Sequence, residues 1–218
     1  LYTQGKAEGI IFLGELKHDY LKSIERITVP KVFLDFYNKD KLCHCVVTDN
    51  LTCSYEITRL LIEKGHKKIG FLGNIDATTS IQDRYLGFYK AMMEEKLAIN
   101  EEWLLKDRNA EGVFIDIVLP KELPTAFVCN SDRAAYGLIK QLKSIGRMPG
   151  KDIAVVGFDN DIFSLVSEPQ LTTVAVDVDE MSLKAVEIIL RNIQNSHITP
   201  NKFSIPGKII IRDSVNSM

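Results

Sequence analysis

A doubly wound α/β architecture is the fold class that this sequence predicts, and two observations carry it. Short runs rich in Val, Ile and Phe recur along the chain, and each is apolar at successive rather than alternate positions. Strands buried on both faces of a covered parallel sheet read this way, whereas a strand with one wet face alternates. Between the runs lie longer stretches with apolar residues at helical spacing, so strand and helix alternate as βαβ units do. Right-handed crossovers then place helices on both faces of a sheet.

The expected strands are Gly9 to Leu13, Lys31 to Asp35, Lys68 to Gly73, Thr125 to Cys129 and Ile153 to Phe158. Asn50 to Lys64 reads as a helix, with Asp49 as its cap and Gly65 as its stop. Ser80 to Lys96 opens with Ser80-x-x-Asp83, a capping-box-like start, and sets Ile81, Tyr85, Phe88 and Met92 on one stripe. Asp132 to Ile145 is capped by Ser131 and ends at Gly146. Asp179 to Asn195 carries Leu183, Val186, Ile189, Leu190 and Ile193.

Composition narrows the function. The 218 residues are 45% hydrophobic and carry a formal net charge of -2, enough for one large domain or two small ones and too acidic for a general polyanion-binding surface. No apolar run approaches a membrane span, so no membrane partner is expected. Residues 1–5 have neither the charged nor the apolar region of a leader peptide, and the four Cys are not spaced as a disulfide framework, which points to the cytoplasm. The nucleotide-loop, dinucleotide, zinc-protease and serine-hydrolase signatures are all missing, so neither an enzyme nor a cofactor is expected. Gly146 to Lys151 superficially suggests a phosphate loop but precedes a strand rather than a helix. Cys43-His44-Cys45 with Cys53 invites zinc, yet alternate strand residues point to opposite faces, and no metal is expected.

In open α/β sheets ligands bind beyond the carboxyl ends of the strands. The residues that follow the expected strands are Asp35-Phe36-Tyr37, Asn74 to Ser80, Asn130-Ser131-Asp132 and Asp159-Asn160-Asp161. They are rich in hydrogen-bonding groups and hold no concentrated positive charge.

Four blocks, in order, are similar to the lactose/galactose-repressor family. They are Leu60 to Gly73 followed by Asp83-Arg84-Tyr85-Leu86-Gly87-Phe88; Pro124 to Gly137; Asp152 to Asn160 followed by Pro169 to Val174; and Ile209 to Ser214. The resemblance covers essentially the whole sequence. It implies two doubly wound parallel-sheet lobes of the type I periplasmic-binding-protein kind with a ligand cleft between them. One lobe would hold residues 1–65 and 176–200, the other 66–175 and 201–218. It further implies a small-molecule effector, most readily a sugar or sugar phosphate, and a homodimer. Operator DNA would be met only through an N-terminal helix-turn-helix that this sequence does not contain. Residues 1–7 resemble the end of the helix before the family's third strand. A periplasmic or surface sugar-binding protein of a transport system shares the fold and is the alternative reading.

The resemblance assigns Arg84 and Asp159 to the effector. Arg84 suits paired hydrogen bonds to hydroxyls or a carbonyl edge, against a surface ion pair with Asp83 or Glu94. Asp159 suits sugar hydroxyls or ring N–H groups, against capping of the next helix. Ser131 and Asp132 are candidates at the end of a neighbouring strand, Asp132 alternatively holding its loop together; Ser80 could contact ligand or cap its helix. Asp107 and Arg108 fall where the family often has an aromatic or polar effector contact, against solvated loop charges, and Tyr37 could stack on a sugar face.

Overall fold

In the computed structural model, residues 5, 7–14, 16, 18–38, 43–109, 111–194 and 199–216 are described. The reading of residues 1–7 falls, apart from Gly5 and Ala7, outside them. The chain divides into two units, Leu1–Asp49 with Asp177–Ile205, and Asn50–Val176 with Pro206–Met218.

The first unit is built on a parallel sheet of β1 (Ile10–Leu13), β2 (Lys31–Leu34), β3 (His44–Thr48) and β9 (Lys202–Ile205), in the order β1-β2-β3-β9. Helices α1 (His18–Glu25) and α6 (Val178–Gln194) belong to it. β3, inside the sheet, is buried at every position, whereas β1 at the edge exposes Ile11 and Leu13. Phe33 and Phe36 stack with ring centroids 4.3 Å apart at the centre of a small core with Ile24, Cys43 and Cys45. Of the apolar residues read on α6, Ile189 alone is on its buried face. Met181, Ala185, Ile188 and Ile189 are buried, while Leu183 is 68% exposed and Val186 and Leu190 also face solvent.

The second unit holds a six-stranded sheet in the order β10-β8-β7-β6-β4-β5. Its strands are β4 (Ile69–Leu72), β5 (Leu104–Leu105), β6 (Ala126–Cys129), β7 (Ala154–Asp159), β8 (Thr172–Ala175) and β10 (Lys208–Ile210), and only β10 runs antiparallel to its neighbour. Its helices are α2 (Asn50–Glu63), α3 (Thr79–Glu94), α4 (Asp132–Ser144) and the short α5 (Ile162–Val166). β4 and β6 are buried at all four positions, as their unbroken apolar sequences require. One core lies between the sheet and α2 and α3, around Ile57, Phe71, Phe88 and Val156. A second, around Phe127, Leu138 and Val155, lies under α4.

The division departs from the expected lobe limits at two elements. Residues 50–65 fall with the second unit, in which α2 packs closely on α3. A Cβ at Gly87 would stand 2.2 Å from the Leu51 carbonyl oxygen, so only glycine permits this approach, and Ser54 Oγ donates to the Arg84 carbonyl at 2.6 Å. Residues 202–205 fall with the first unit because β9 pairs with β3, from Cys45 opposite Lys202 to Thr48 opposite Ile205.

Candidate functional site

The carboxyl ends of β4, β6 and β7 bring most of the candidate residues together, all within the second unit. Arg84 lies in α3 one turn beyond Ser80, and it is not the surface ion pair that its neighbours Asp83 and Glu94 suggested. It is only 7% exposed and fully engaged on one side. Its guanidinium lies over the Phe158 ring, 3.6 Å from the centroid. Nε donates to Asn50 Oδ1 at 2.8 Å, Nη1 donates to the Asn130 carbonyl, and Nη2 stands 3.3 Å from Asp159 Oδ1. A guanidinium has five N–H donors, so two remain without a partner among the described residues. Three elements, α2, β6 and β7, therefore fix a planar donor fork at the strand ends.

Asp159, the last residue of β7, has φ 111, and Asn160 follows at φ 57. Asp159 does not cap the next helix. That role belongs to Asp161, whose Oδ1 accepts from Phe163 N–H at 2.8 Å. The carboxylate of Asp159 is instead left beside Arg84 and partly open to solvent.

Ser131 caps α4, accepting from Ala134 N–H at 3.2 Å. The next residue, Asp132, is wholly buried. Its Oδ1 accepts from Thr173 Oγ1 at 2.6 Å and its Oδ2 from Asp161 N–H at 2.9 Å. Burial pushes its carboxyl up to about 7, against the lowering effect of those two donors and with the charges of Asp159 and Asp161 adding to the rise. Of the two roles open to it, holding its loop together is the one its bonds describe.

Ser80 is inside the first turn of α3 and is not its cap. Thr78 is, because its extended backbone (φ -146, ψ 155) lets its hydroxyl accept from Ile81 N–H at 3.1 Å. Asp107 is not a solvated loop charge either. It is buried, accepting from Asn74 N–H at 3.1 Å and from Arg108 Nε and Nη2 at 2.9 and 2.7 Å. Arg108 Nη2 also reaches Asn130 Oδ1 at 3.3 Å, so Asn130 is held through its carbonyl by Arg84 and through its amide by Arg108. Tyr37 lies in the first unit, in a pocket of about 250 Å³ with Cys43, Cys45 and Lys202, whose ammonium sits 3.8 Å from its ring centroid. One face of its ring is covered by that cation.

Two contributors escaped the sequence reading, Asn50 and Phe158, whereas Arg108, read with Asp107, is not a solvated loop charge either but is held between Asp107 and Asn130. Asn50 reads as a helix start and Phe158 as strand core, and both are those things as well. Nothing in their spacing marks the second role, which arises only where α2 and β7 meet Arg84.

This arrangement can be compared with known proteins. The signature of a periplasmic binding protein-like domain matches residues 58–215. The chain belongs to that family, in its lactose/galactose-repressor branch, and corresponds to the effector-binding core. It is 29% identical over 220 residues to the HTH-type transcriptional repressor PurR of Actinobacillus pleuropneumoniae serotype 3 (strain JL03), covering 98% of this chain and 66% of the relative. It thus spans about two thirds of the length of that relative. The solved structure of a transcription regulator from Lactobacillus plantarum superposes with a TM-score of 0.84 at 27% identity, covering 97% of this chain and 82% of that one. A LacI family transcriptional regulator from Enterococcus faecium with bound ribose shares the fold, with a TM-score of 0.80 at 19% identity over all of this chain and 82% of that one.

Proposed function

We propose that the chain is the effector-sensing and dimerisation core of a bacterial transcriptional repressor working in the cytoplasm. It takes a sugar or similar small polar molecule at the strand ends of the second unit and does no chemistry on it. The observation that carries this reading is the Arg84–Asp159 pair, a pre-oriented donor fork beside a partly exposed carboxylate at 3.3 Å. Vicinal hydroxyls, or a ring with adjacent donor and acceptor, satisfy both partners at once. The Phe158 ring under the guanidinium backs the fork on its buried side. The ribose bound to the Enterococcus faecium regulator is a ligand of this chemistry.

Sensing needs only that the effector bind two arrangements of the protein with different affinity, and DNA is controlled through a helix-turn-helix outside these residues. Two exposed apolar faces support self-association. One is the α6 stripe of Leu183, Val186 and Leu190, and the other is Ile162, Leu165 and Val166 on α5.

The test is a thermal-shift screen with ribose, cellobiose, glucose 6-phosphate and hypoxanthine, repeated on Asp159→Asn. A ligand at a hundredfold excess over its dissociation constant should stabilise the fold by about 2.7 kcal/mol. That gain should vanish in Asp159→Asn. A ligand that stabilises the variant as well as the parent, or that is consumed, removes the reading.

A further inference from the structure

The turn that presents Asp159 is an uncomfortable one. Asp159 at φ 111 and Asn160 at φ 57 both adopt backbone conformations that side-chain-bearing residues rarely take. Such a turn persists only where its surroundings over-determine it. Part of the hold is local: Asp161 caps α5, and Ser164 Oγ donates to the Asp161 carbonyl at 2.7 Å. Arg212 Nη2, after β10, donates to Asn160 Oδ1 at 2.7 Å.

The remaining tie comes from Asp132, and the protein has built a socket for it. Asp132 Oδ2 takes the Asp161 N–H, while Thr173 on β8 pins Oδ1. Between them passes β7 at Gly157, where an added Cβ would stand 2.0 Å from Asp132 Oδ1. Gly157 is therefore required for space, not for its backbone angles. A wholly buried carboxylate with both oxygens committed has no face to offer a ligand, and its burial is costly unless its bonds are satisfied. Residues from α4, β7, β8 and the 159–161 turn all serve this one group.

We infer that Asp132 is a positioning residue: its carboxylate clamps the turn 159–161 and so aims the Asp159 carboxylate at Arg84 and at the ligand the pair receives. Only the last step rests on the proposed function; the clamp stands or falls by itself.

The experiment needs no ligand. In ¹⁵N spectra of the 218-residue chain, the Arg84 Nε–H signal is identified by its loss in Arg84→Lys, and its position without a facing carboxylate is read from Asp159→Ala. Asp132→Ala should speed exchange of the Asp161 amide at least tenfold and move the Arg84 signal towards its Asp159→Ala position. Asp132→Asn should restore both, since its amide oxygen can accept from Asp161 N–H and the Thr173 hydroxyl can turn to accept from its NH₂. A residue that merely braced the core would leave the Arg84 signal in place, and that result, or an Asn variant behaving like Ala, overturns the inference. If Asp132→Ala does not fold, Thr173→Val removes one tie at nearly constant volume and should move the Arg84 signal in the same direction; an unmoved signal is again fatal. Undiminished ligand binding in Asp159→Asn, with the clamp intact, would sink the functional reading alone.

Discussion

A carboxyl group with a raised folded-state pKa binds its proton more tightly in the native protein than in the unfolded chain. For Asp132, at about 7 against the ordinary 3.8, stability is greatest below about pH 4 and declines as pH rises through the window to about 7. His66 works in the opposite sense. Burial lowers its pKa, so it stays neutral between Thr125 and Asn216, and its contribution is present above 6.5 and lost as pH falls. The Asp132 effect is therefore read as a difference. Unfolding of the parent and of Asp132→Asn from pH 4 to 8 should show the parent losing stability relative to the variant as pH rises. Parallel curves would contradict the buried carboxyl.

Arg84 answers to a different measurement. Truncation to Ala removes charge-assisted bonds of roughly 1.5–3 kcal/mol each, so effector affinity should fall about ten- to a hundredfold or more. Its burial adds a consequence: the partners left behind, Asn50 Oδ1 and the Asn130 carbonyl, are themselves buried, so the melting temperature should fall too. Calorimetry with a bound effector separates the two losses. Unchanged affinity in a folded variant would take Arg84 out of the site.

At the scale of elements, the structure assigns cap and packing roles that substitutions can weigh. Thr78→Ala should cost about 0.5–2 kcal/mol, because it deprives the Ile81 amide of its acceptor, and Ser80→Ala should cost less. Gly87→Ala should cost about 1–3 kcal/mol, because α2 must back away from α3 to admit the methyl group. Chemical denaturation measures both, and equal losses at 78 and 80 would restore Ser80 as the cap. These elements also show what a linear reading reaches. The central strands were legible as unbroken apolar runs, because a strand covered on both faces leaves no other pattern. Arg84, Ser131 and Asp159 were legible as residues at strand and helix ends. On α6 the apolar residues did not sort themselves into buried Ile189 and exposed Leu183, Val186 and Leu190, because an apolar helix face looks alike whether it meets its own sheet or solvent. β3, β9 and β10 hold polar residues such as His44, Thr48 and Lys202, so no unbroken apolar run marks them. The true neighbours of α2 and β9 depend on long-range packing at Gly87 and pairing at Cys45, which spacing does not encode.

For the whole molecule, the expected outcome in sedimentation is a self-associating protein whose association weakens when a charge is placed on either exposed apolar face. Leu183→Glu on α6 and Leu165→Glu on α5 test the two faces separately. Both positions are solvent-facing in the chain, so neither change should lower the melting temperature of the isolated fold by much. A monomeric parent at micromolar concentration would discard the proposal of self-association.

The interleaving of the two units sets a timetable for synthesis. The first unit receives its last strand only at residues 202–205, and the second waits for 208–210 and for Ser214, whose hydroxyl donates to the Val155 carbonyl at 2.6 Å and accepts from Thr172 N–H at 2.8 Å. Neither sheet can close until residues 202–214 have emerged from the ribosome. At about 5–20 residues per second, the nascent chain spends seconds with the open edges of β3 and β8 unpaired. Such edges recruit stray strands, so the interval should be the period of greatest dependence on chaperones. A nascent chain stalled with only residues up to Pro206 emerged should remain protease-sensitive in the second unit, whereas emergence of β10 and Ser214 should bring protection of β8 and β7 within one folding event.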